Sequence, residues 1–368
     1  MYRHYFILSS VLLLFTVTAH AETFETIRQQ FEIYQRFAGE LEILSGDNVH
    51  EIDNVLKRTE EKRLTVRQAL DNIHTEDKPK RDLPSPLFSE SFTAPFFHYV
   101  TLERVVAQRA IQQGKPDATM QSLQYVYRLT DALADSESLK LRITAAQIRL
   151  QMLETVQSFL SSPHCRHEHH EQLHQIFDAL VNRRPTDGTI WALYLDEGKR
   201  FFEAISRRGL EEMVAPKMLK ELEERRALNG YAKSAVERFT HDQSAFQRIM
   251  PIVIESCSVP FFKRSPMLRQ LDDELRNRQG TETEPVFTIL LLRDATETMR
   301  LLTQEQSGNE MAYLALSASL GNQERRKVLN FLTGNEYKFP LIMNGIACTY
   351  DGNIKPFYVP YRHVIGNE

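Results

Sequence analysis

Apolar residues recur at helical spacing along most of this chain. Near the amino end they fall every three or four residues, a period that places them on one face of a helix. This first stripe consists of Ile27, Phe31, Tyr34, Ala38 and Leu41, and it stops at Ser45-Gly46. A second helix is predicted from about Asp47, with a buried side formed by Ile52, Val55, Leu56, Leu64 and Leu70. We expect the two helices to pair as an antiparallel hairpin within residues 22–74.

Helical periodicity disappears over residues 75–97 and then returns. This stretch contains Pro79, Pro84, Pro86 and Pro95, which favours a linker or an extended strap. Residues 98–335 are predicted to form the main helical body, because apolar stripes resume there between helix-ending signals such as Gly114-Lys115-Pro116. The predicted helices span residues 102–113, 118–134, 137–160, 167–182, 188–206, 210–227, 231–249, 265–278 and 285–304. Their spacing favours helix hairpins packed side by side, in a solenoid-like array or an irregular bundle.

The last segment, residues 336–368, has a different pattern. Two runs typical of strands, residues 346–350 and 353–358, flank Asp351-Gly352. This arrangement predicts a β-hairpin with a type I′ turn, which needs positive φ at both central residues. Pro356 and Pro360 each lack an amide donor, so we expect their strand to lie at an edge. The predicted fold class is mainly α with a small C-terminal β-hairpin.

The composition narrows the class of protein. Hydrophobic residues make up 42% and charged residues 26% of the 368 residues, which is enough to bury a core and unlike a disordered chain. The chain has only 14 glycines and 15 prolines, which disfavours collagen-like chains and turn-rich all-β folds. A net charge of −4 provides no general attraction to nucleic acid or to an anionic membrane, so we predict no nucleic-acid partner.

The first 21 residues have the order of a secretory signal peptide. Arg3 and His4 precede an apolar run from Tyr5 to Thr18, and Ala19-His20-Ala21 supplies a small-residue cleavage site. The run is shorter than the ~20 residues of a membrane-spanning helix, and no later window is apolar enough to span a bilayer. We expect cleavage after Ala21, no transmembrane span afterwards, and a periplasmic or secreted product.

Export would place the three cysteines in an oxidising compartment. With an odd number of cysteines, at most one internal disulfide can form. Cys257 and Cys348 lie in segments predicted to be folded, and we expect them to form that disulfide. The alternative is that all three remain free or buried thiols.

A cluster of histidines carries the most suggestive chemistry in the sequence. Five of the 12 histidines fall within residues 164–174, where His170-Glu171-Gln172-Leu173-His174 matches the pattern His-Glu-x-x-His. On a helix the two histidines of this pattern share one face and can bind one zinc ion. Glu171 would then act as general base on a metal-bound water. The pattern is that of a zinc-dependent hydrolase of the peptidase type.

The surroundings of the motif disfavour this hydrolase hypothesis. Residues 166–168 are charged or ionisable, where a zinc peptidase would have a buried helix. Leu180 stands at the position where a metzincin has its third histidine. The nearest glutamate that could serve as a third ligand is Glu197, on a different predicted helix.

Metal binding without catalysis is another alternative. His170 and His174 form a chelating pair on a helix, and His164, Cys165 or His167 could add ligands for Zn, Cu or Ni. The third alternative is a solvated loop and helix start that holds no metal. Its histidines would then gain charge below neutral pH.

Three stretches resemble a group of exported, mainly helical bacterial proteins whose function is not established. They are Gln113-Gly114-Lys115-Pro116-Asp117 leading into Tyr127-Arg128-Leu129-Thr130-Asp131-Ala132-Leu133-Ala134-Asp135, then Leu195-Asp196-Glu197-Gly198-Lys199-Arg200, and finally Tyr350-Asp351-Gly352-Asn353-Ile354-Lys355-Pro356-Phe357. The group has an Asp-Gly-Lys-Pro-like hairpin at the third position, whereas here Asn353-Ile354 separates Gly352 from Lys355. The resemblance covers about residues 98–361. It implies an exported helical fold and carries over no catalytic residue.

These patterns favour a non-enzymatic function. We predict an exported interaction or scaffold protein without a cofactor, which binds an unknown protein or another partner in the cell envelope. A zinc-dependent hydrolase and a non-catalytic metal-binding protein are the alternatives. An enzyme requires a third ligand to converge with His170 and His174 in a cleft, whereas a scaffold requires no such convergence.

Overall fold

The computed structural model describes most of the chain from residue 49 onward. The described residues are 49–71, 93–136, 138–208, 220, 224, 235–279, 284–292, 295–321, 329–340, 342, 344–351 and 355–361. The helices are α1 (Val49–Asp71), α2 (Ala94–Gln112), α3 (Pro116–Ala134), α4 (Leu139–Ser161), α5 (His167–Asn182), α6 (Asp187–Arg208), α7 (Ala235–Ser256), α8 (Phe261–Asn277), α9 (Val286–Leu292) and α10 (Ala295–Ser319). Two strands follow, β1 (Gly345–Cys348) and β2 (Phe357–Pro360). The predicted class, mainly α with packed helices and a small C-terminal β-hairpin, is confirmed.

The chain divides into two compact units. The described residues up to Ser136 belong to the first unit, and those from Ser138 onward belong to the second. The first unit holds α1–α3, and the second holds α4–α10 and the sheet. This boundary lies inside the range 98–335 predicted as one body, because α2 and α3 pack along each other and α3 also packs on α1. Furthermore, α2 begins at Ala94, inside the predicted linker.

In the first unit, α2 and α3 are joined by a short turn at Gln113–Lys115. Gly114 adopts a positive φ of 65°, and the N–H of Lys115 donates to the carbonyl of Ala110 at 2.8 Å. This bonding satisfies carbonyls that the end of α2 would otherwise leave unpaired. Pro116 then begins α3 at a position where the missing amide N–H has no helical partner to lose.

A buried ion pair joins α1 to α2. Arg67 donates from Nη2 to Oε2 of Glu103 at 2.7 Å and from Nε to Oε1 at 3.2 Å. Glu103 is fully buried, so these parallel hydrogen bonds compensate the loss of water around its carboxylate. The predicted buried side of α1 is confirmed at Val55 and Leu70, but the prediction is wrong at Leu64, which is 50% exposed. Leu64 lies six residues from Leu70, a spacing that places the two on different faces of a helix.

In the second unit, α10 lies at the centre. It packs against α4, α5 and α8 and against both strands. From Ser307 to Ser317 every residue except Tyr313 is buried. A helix covered on all sides has no solvent-facing stripe, so its position cannot be recognised from an amphipathic pattern.

The bounds of α10 also differ from the prediction. One helix was expected over residues 285–304, whereas the structure has two, and α10 continues to Ser319. The polar run of residues 303–310, which includes Gly308, resembles a helix end. In the structure Gly308 instead allows α4 to approach α10. A Cβ atom at this position would lie 2.7 Å from Cδ1 of Leu153.

Carboxylates from neighbouring helices cap two helices of the second unit. Asp242 of α7 accepts the N–H groups of Phe287 and Thr288, in the first turn of α9, at 2.7 and 2.8 Å. Glu197 of α6 accepts the N–H of Leu139, the first residue of α4, at 3.0 Å. These contacts satisfy amides that have no partner inside their own helix. They also place a carboxylate at the N-terminal end of each helix, where the helix dipole favours negative charge.

The C-terminal hairpin has a different connection from the predicted one. β1 pairs antiparallel with β2, and Cys348 lies opposite Phe357. Residues 349–356 therefore connect the strands, rather than a two-residue turn, and Gly352 of the predicted type I′ turn lies outside the described residues. The first residue of this connection, Thr349, pairs with Lys338 through backbone hydrogen bonds of 2.9 and 2.8 Å.

A side chain from α4 covers the outer edge of β2. Oε1 of Gln157 accepts the N–H of Tyr358 at 2.7 Å, and its Nε2 donates to the carbonyl of the same residue at 2.5 Å. A glutamine amide offers one donor and one acceptor, as a further strand would. Pro360 lies at the end of β2 opposite Gly345. Both features are typical of an edge strand.

The predictions that concern export fall outside the described residues. These are the signal peptide of residues 1–21, the helix with the stripe from Ile27 to Leu41, and most of the linker. The helix predicted over residues 210–227 also lies largely outside them. In the part of the chain that the structure describes, no helix is both long and apolar enough to cross a membrane.

Candidate functional site

The histidine tract lies at the start of α5, which has the predicted bounds of residues 167–182. His170 is buried, with 2% of its surface exposed, and His174 is half-buried one turn later. His174 faces α10, because its Nε2 lies 2.8 Å from Oγ of Ser317 and its ring stacks on Tyr313 with centroids 5.0 Å apart. Burial lowers the pKa of His174 below its ordinary value, although Asp178 acts in the opposite direction.

Within the described residues, the predicted metal site lacks a third ligand. No His, Cys, Asp or Glu there forms with His170 and His174 a group of ligand atoms lying within 4.8 Å of one another. Glu197 is engaged at the start of α4, where it accepts hydrogen bonds from the Leu139 N–H and the Ser138 hydroxyl. The arrangement that an enzyme requires is therefore not formed by these residues.

The other residues of the histidine tract lie in different surroundings. His164 is exposed and Cys165 is buried. Nε2 of His167 lies 3.6 Å from Oε1 of Glu171, and both side chains are largely exposed. His169 is buried, and its Nδ1 accepts the N–H of Arg166 at 2.9 Å, which closes the first turn of α5. The tract is thus spread between the surface and the packed side of the helix.

Metal analysis can test this arrangement directly. We expect the untagged mature protein to contain well below one zinc per chain, because Nε2 of His174 is already hydrogen-bonded to Ser317. The double variant His170→Ala/His174→Ala should contain the same small amount by plasma mass spectrometry. The control is His164→Ala, which removes an exposed histidine of the same tract. Near-stoichiometric zinc that is lost only in the double variant would contradict this expectation and favour the metal-binding alternatives.

The predicted disulfide is not formed in the structure. None of Cys165, Cys257 and Cys348 forms a disulfide. Cys257 directly follows α7 and donates to the carbonyl of Val253 at 3.4 Å, whereas Cys348 is buried in β1. Burial raises the pKa of Cys257 to about 11 and that of Cys348 to about 12. Both thiols therefore stay protonated near neutral pH and are poor nucleophiles.

A set of charged and polar side chains lies in the interior of the second unit, where the sequence indicates no site. We call it the α10 polar cluster. Its members are largely buried and are Arg149, Arg184, Asp187, Arg264, Thr303, Glu305 and Asn309. They come from α4, the α5–α6 connection, α6, α8 and α10. The cluster therefore joins α4, α6 and α8 to the central helix.

Glu305 is the acceptor on the α10 side of this cluster. Its Oε1 accepts from Nη1 of Arg149 at 3.2 Å and from Nδ2 of Asn309 at 2.5 Å. Its Oε2 lies 3.5 Å from Nε of Arg184. Arg149 and Glu305 are 7% and 3% exposed, so their charges are compensated mainly by each other and by these neighbours.

Asp187 bridges two guanidinium groups at the start of α6. Its Oδ1 accepts from Nη2 of Arg184 at 2.9 Å, and its Oδ2 accepts from Nη2 of Arg264. The same nitrogen of Arg264 donates to the hydroxyl of Thr303 at 3.2 Å. Burial opposes ionisation of Asp187, but Arg184 and Arg264 outweigh it and hold the pKa of this carboxyl below its ordinary value.

A second polar chain attaches residues 329–340 to α10. The hydroxyl of Tyr337 donates to Oε2 of Glu310 at 2.6 Å and accepts from Nδ2 of Asn330 at 2.8 Å. Burial raises the pKa of Glu310, and burial together with Glu310 raises the pKa of Tyr337. Both shifts favour the uncharged forms, as expected for groups removed from water.

The α10 polar cluster is suited to holding elements together rather than to proton transfer. Each carboxylate oxygen of Asp187 and Glu305 already faces a guanidinium or amide donor. A general base needs a free oxygen within reach of a substrate proton. The cluster leaves no local signal in the sequence, because its charges come from distant parts of the chain, as with Arg149 and Glu305, which are 156 residues apart.

Exposed apolar side chains of the second unit are concentrated in two segments that meet. Of the nine large hydrophobic side chains that are exposed among the described residues, six lie in residues 252–267 and 329–331. We call these six the α7–α8 apolar patch: Ile252, Val259, Phe262, Met267, Leu329 and Phe331. The two segments meet, because the N–H of Phe261 donates to the carbonyl of Phe331 at 2.8 Å. A concentration of exposed apolar side chains is typical of a binding surface, unlike single exposed ones.

Comparison of the chain with protein-family models, with curated proteins and with solved structures finds no match. The resemblance to exported helical bacterial proteins therefore stays a prediction. The described residues themselves offer one contrast that bears on function. The carboxylates of the α10 polar cluster are hydrogen-bonded in the interior, whereas several large apolar side chains are exposed at the surface.

Proposed function

We propose that this protein is an exported, non-catalytic interaction protein, and that it binds a partner in the cell envelope through the α7–α8 apolar patch. The observation that supports this proposal is the exposure of Phe262 and Phe331, which are 44% and 41% exposed although they lie beside a packed core. Burial of such side chains against a partner is favourable by about 25 cal/mol per Å² of apolar surface. The first 21 residues supply the expectation of export.

The patch rests on a support built by neighbouring residues, which favours binding without large rearrangement. Phe261 and Leu268 of α8 are buried beneath it, in the core of the second unit. The ring of Phe262 lies so close to Gly334 that a Cβ atom there would be 2.0 Å from the ring. A side chain held in this way loses little conformational freedom when a partner covers it, and so more of the burial energy is available for binding.

A photo-crosslinking experiment in intact cells tests the proposed function. The photoreactive analogue p-benzoylphenylalanine would replace Phe262 in the full-length chain. We expect light-dependent adducts in the cell envelope, because an exposed aromatic position at an interface lies within reach of a bound partner. The mature chain in the adduct should begin at Glu22, as determined by mass spectrometry.

The matched control places the same analogue at Leu64, which is also about half exposed but lies on α1 in the first unit. Adducts from position 262 and none from position 64 would support the proposal. Equal adducts at both positions would indicate non-specific contact, and no adduct from position 262 would contradict the proposal. A chain that keeps residues 1–21 and stays in the cytoplasm would contradict export.

A further inference from the structure

Two exposed charges in the segment of the α7–α8 apolar patch lie at the unfavourable ends of their helices. Glu255 is in the last turn of α7, and Lys263 is in the first turn of α8. The dipole of a helix favours the opposite arrangement, with acidic groups near the start and basic groups near the end. Both side chains are exposed, and neither forms an ion pair with any residue in the described part of the chain. Among the described residues of the second unit, no ion pair therefore compensates for their placement.

The two charges lie at equal distances in sequence from an apolar residue. Glu255 lies four residues before Val259, and Lys263 lies four residues after it. Val259 is exposed in the connection between the helices, and Phe262, three residues later, is exposed as well. The ammonium group of Lys263 lies 5.7 Å from the centre of the Phe262 ring, which keeps the positive charge at the patch.

We propose that the α7–α8 apolar patch binds a second copy of this chain, in a twofold-symmetric interface centred on Val259. This inference rests on the proposed function and names its partner. A twofold interface brings one surface against itself, so a patch with charges of one sign would repel its copy. Here Glu255 of each copy meets Lys263 of the other, while Val259 and Phe262 are buried between them. An anionic bilayer is a less suitable partner, because the chain has a net charge of −4.

Charge reversal tests the symmetry of this interface. Sedimentation equilibrium of the mature chain would be compared with that of Glu255→Lys, Lys263→Glu and the double variant. We expect a dimer for the wild type and a dissociation constant about tenfold or more higher for each single variant, since like charges then meet across the axis. The double variant should restore dimerisation, because each copy again presents both signs. Both substitutions place charges favourably for the helix dipole, so they are not expected to unfold the protein.

Two further variants test the apolar part of the interface. Phe262→Ser should weaken dimerisation about tenfold or more, because it removes a large apolar side chain from the contact. Leu64→Ser changes an exposed apolar residue of the first unit and should leave dimerisation unchanged. Circular dichroism of each variant would establish that it is folded.

Several results would overturn the dimer. These are a wild-type chain that stays monomeric at every concentration, a dimer insensitive to Phe262→Ser, or folded single variants whose double combination fails to recover. A monomer that sediments with anionic vesicles in a Phe262-dependent way would assign the patch to lipid instead. If the chain is monomeric and position 262 crosslinks to a protein of different mass, the dimer fails but the proposed function stands. If position 262 gives no adduct either, both fail.

Discussion

Replacing Glu305 with alanine is expected to lower the free energy of unfolding by about 3–5 kcal/mol. The carboxylate lies 3.2 Å from Nη1 of Arg149 and 3.5 Å from Nε of Arg184, in the interior of the second unit. Removing it leaves two largely buried guanidinium groups without one of their main acceptors. An unpaired charge in the interior costs far more than the net contribution of the original ion pair, which explains the size of the effect.

Urea denaturation monitored by circular dichroism would measure the loss for Glu305→Ala. The matched control is Glu297→Ala, on the same helix. Glu297 pairs with Arg300 at the surface, where an ion pair contributes at most about 1 kcal/mol. If the two variants lose equal stability, the guanidinium groups beside Glu305 must reach water, and the α10 polar cluster would not be a buried network.

The second large effect is expected from Gly198→Ala on α6. Alanine normally stabilises a helix by about 1 kcal/mol relative to glycine. At this position, however, a Cβ atom would lie 2.2 Å from Cζ of Phe246, whose ring is fully buried. The ring is packed between Phe202 and Tyr194 and cannot move without disturbing them. We expect a net loss of about 1–2 kcal/mol, because overpacking outweighs the gain in helix propensity.

Gly188→Ala is the control for Gly198→Ala on the same helix. A Cβ atom at Gly188 would have its nearest neighbour, Cβ of Cys257, at 3.8 Å, which is an ordinary contact. Its stability should stay the same or rise by up to about 1 kcal/mol. Thermal unfolding of both variants would reveal the opposite signs. A stabilised Gly198→Ala variant would mean that α6 and α7 pack less closely than the structure indicates.

The helical class could be predicted from sequence because its signals are local. Apolar spacing marked the helices, and the bounds of α5 were predicted at residues 167–182, as observed. Gly114 and Pro116 marked the turn between α2 and α3, since each acts through its own backbone geometry. Such signals depend on a few neighbouring residues, so they stay valid whatever the tertiary structure is.

The bounds of α10 could not be predicted from such local signals. Its polar residues 303–310 resemble a helix end, yet their partners are Arg149 of α4, Arg184 of the α5–α6 connection and Tyr337 near the C-terminus. The connection between the strands is similar, because its first residue, Thr349, pairs with Lys338 of the segment before β1. In both cases the deciding contacts are distant in sequence and leave no periodic pattern.

The candidate metal site could likewise be predicted from sequence only in part. The spacing of His170 and His174 predicts that the two imidazoles share a face of α5, because that follows from the pitch of a helix. Whether they meet a third ligand depends on what packs against that face, and there His174 contacts Ser317 and Tyr313 of α10. The α7–α8 apolar patch likewise appeared only when the tertiary structure showed which apolar side chains stay exposed.

The sequence by itself determined the mainly α class, most helix positions and the C-terminal hairpin, because propensity, capping and apolar period act over short distances. The tertiary structure decided which charges are buried together, which histidines are covered and which apolar residues remain on the surface. These properties depend on contacts between residues as far apart as Arg149 and Glu305, and burial changes the energy of a charge or an apolar group far more than its neighbours in sequence do.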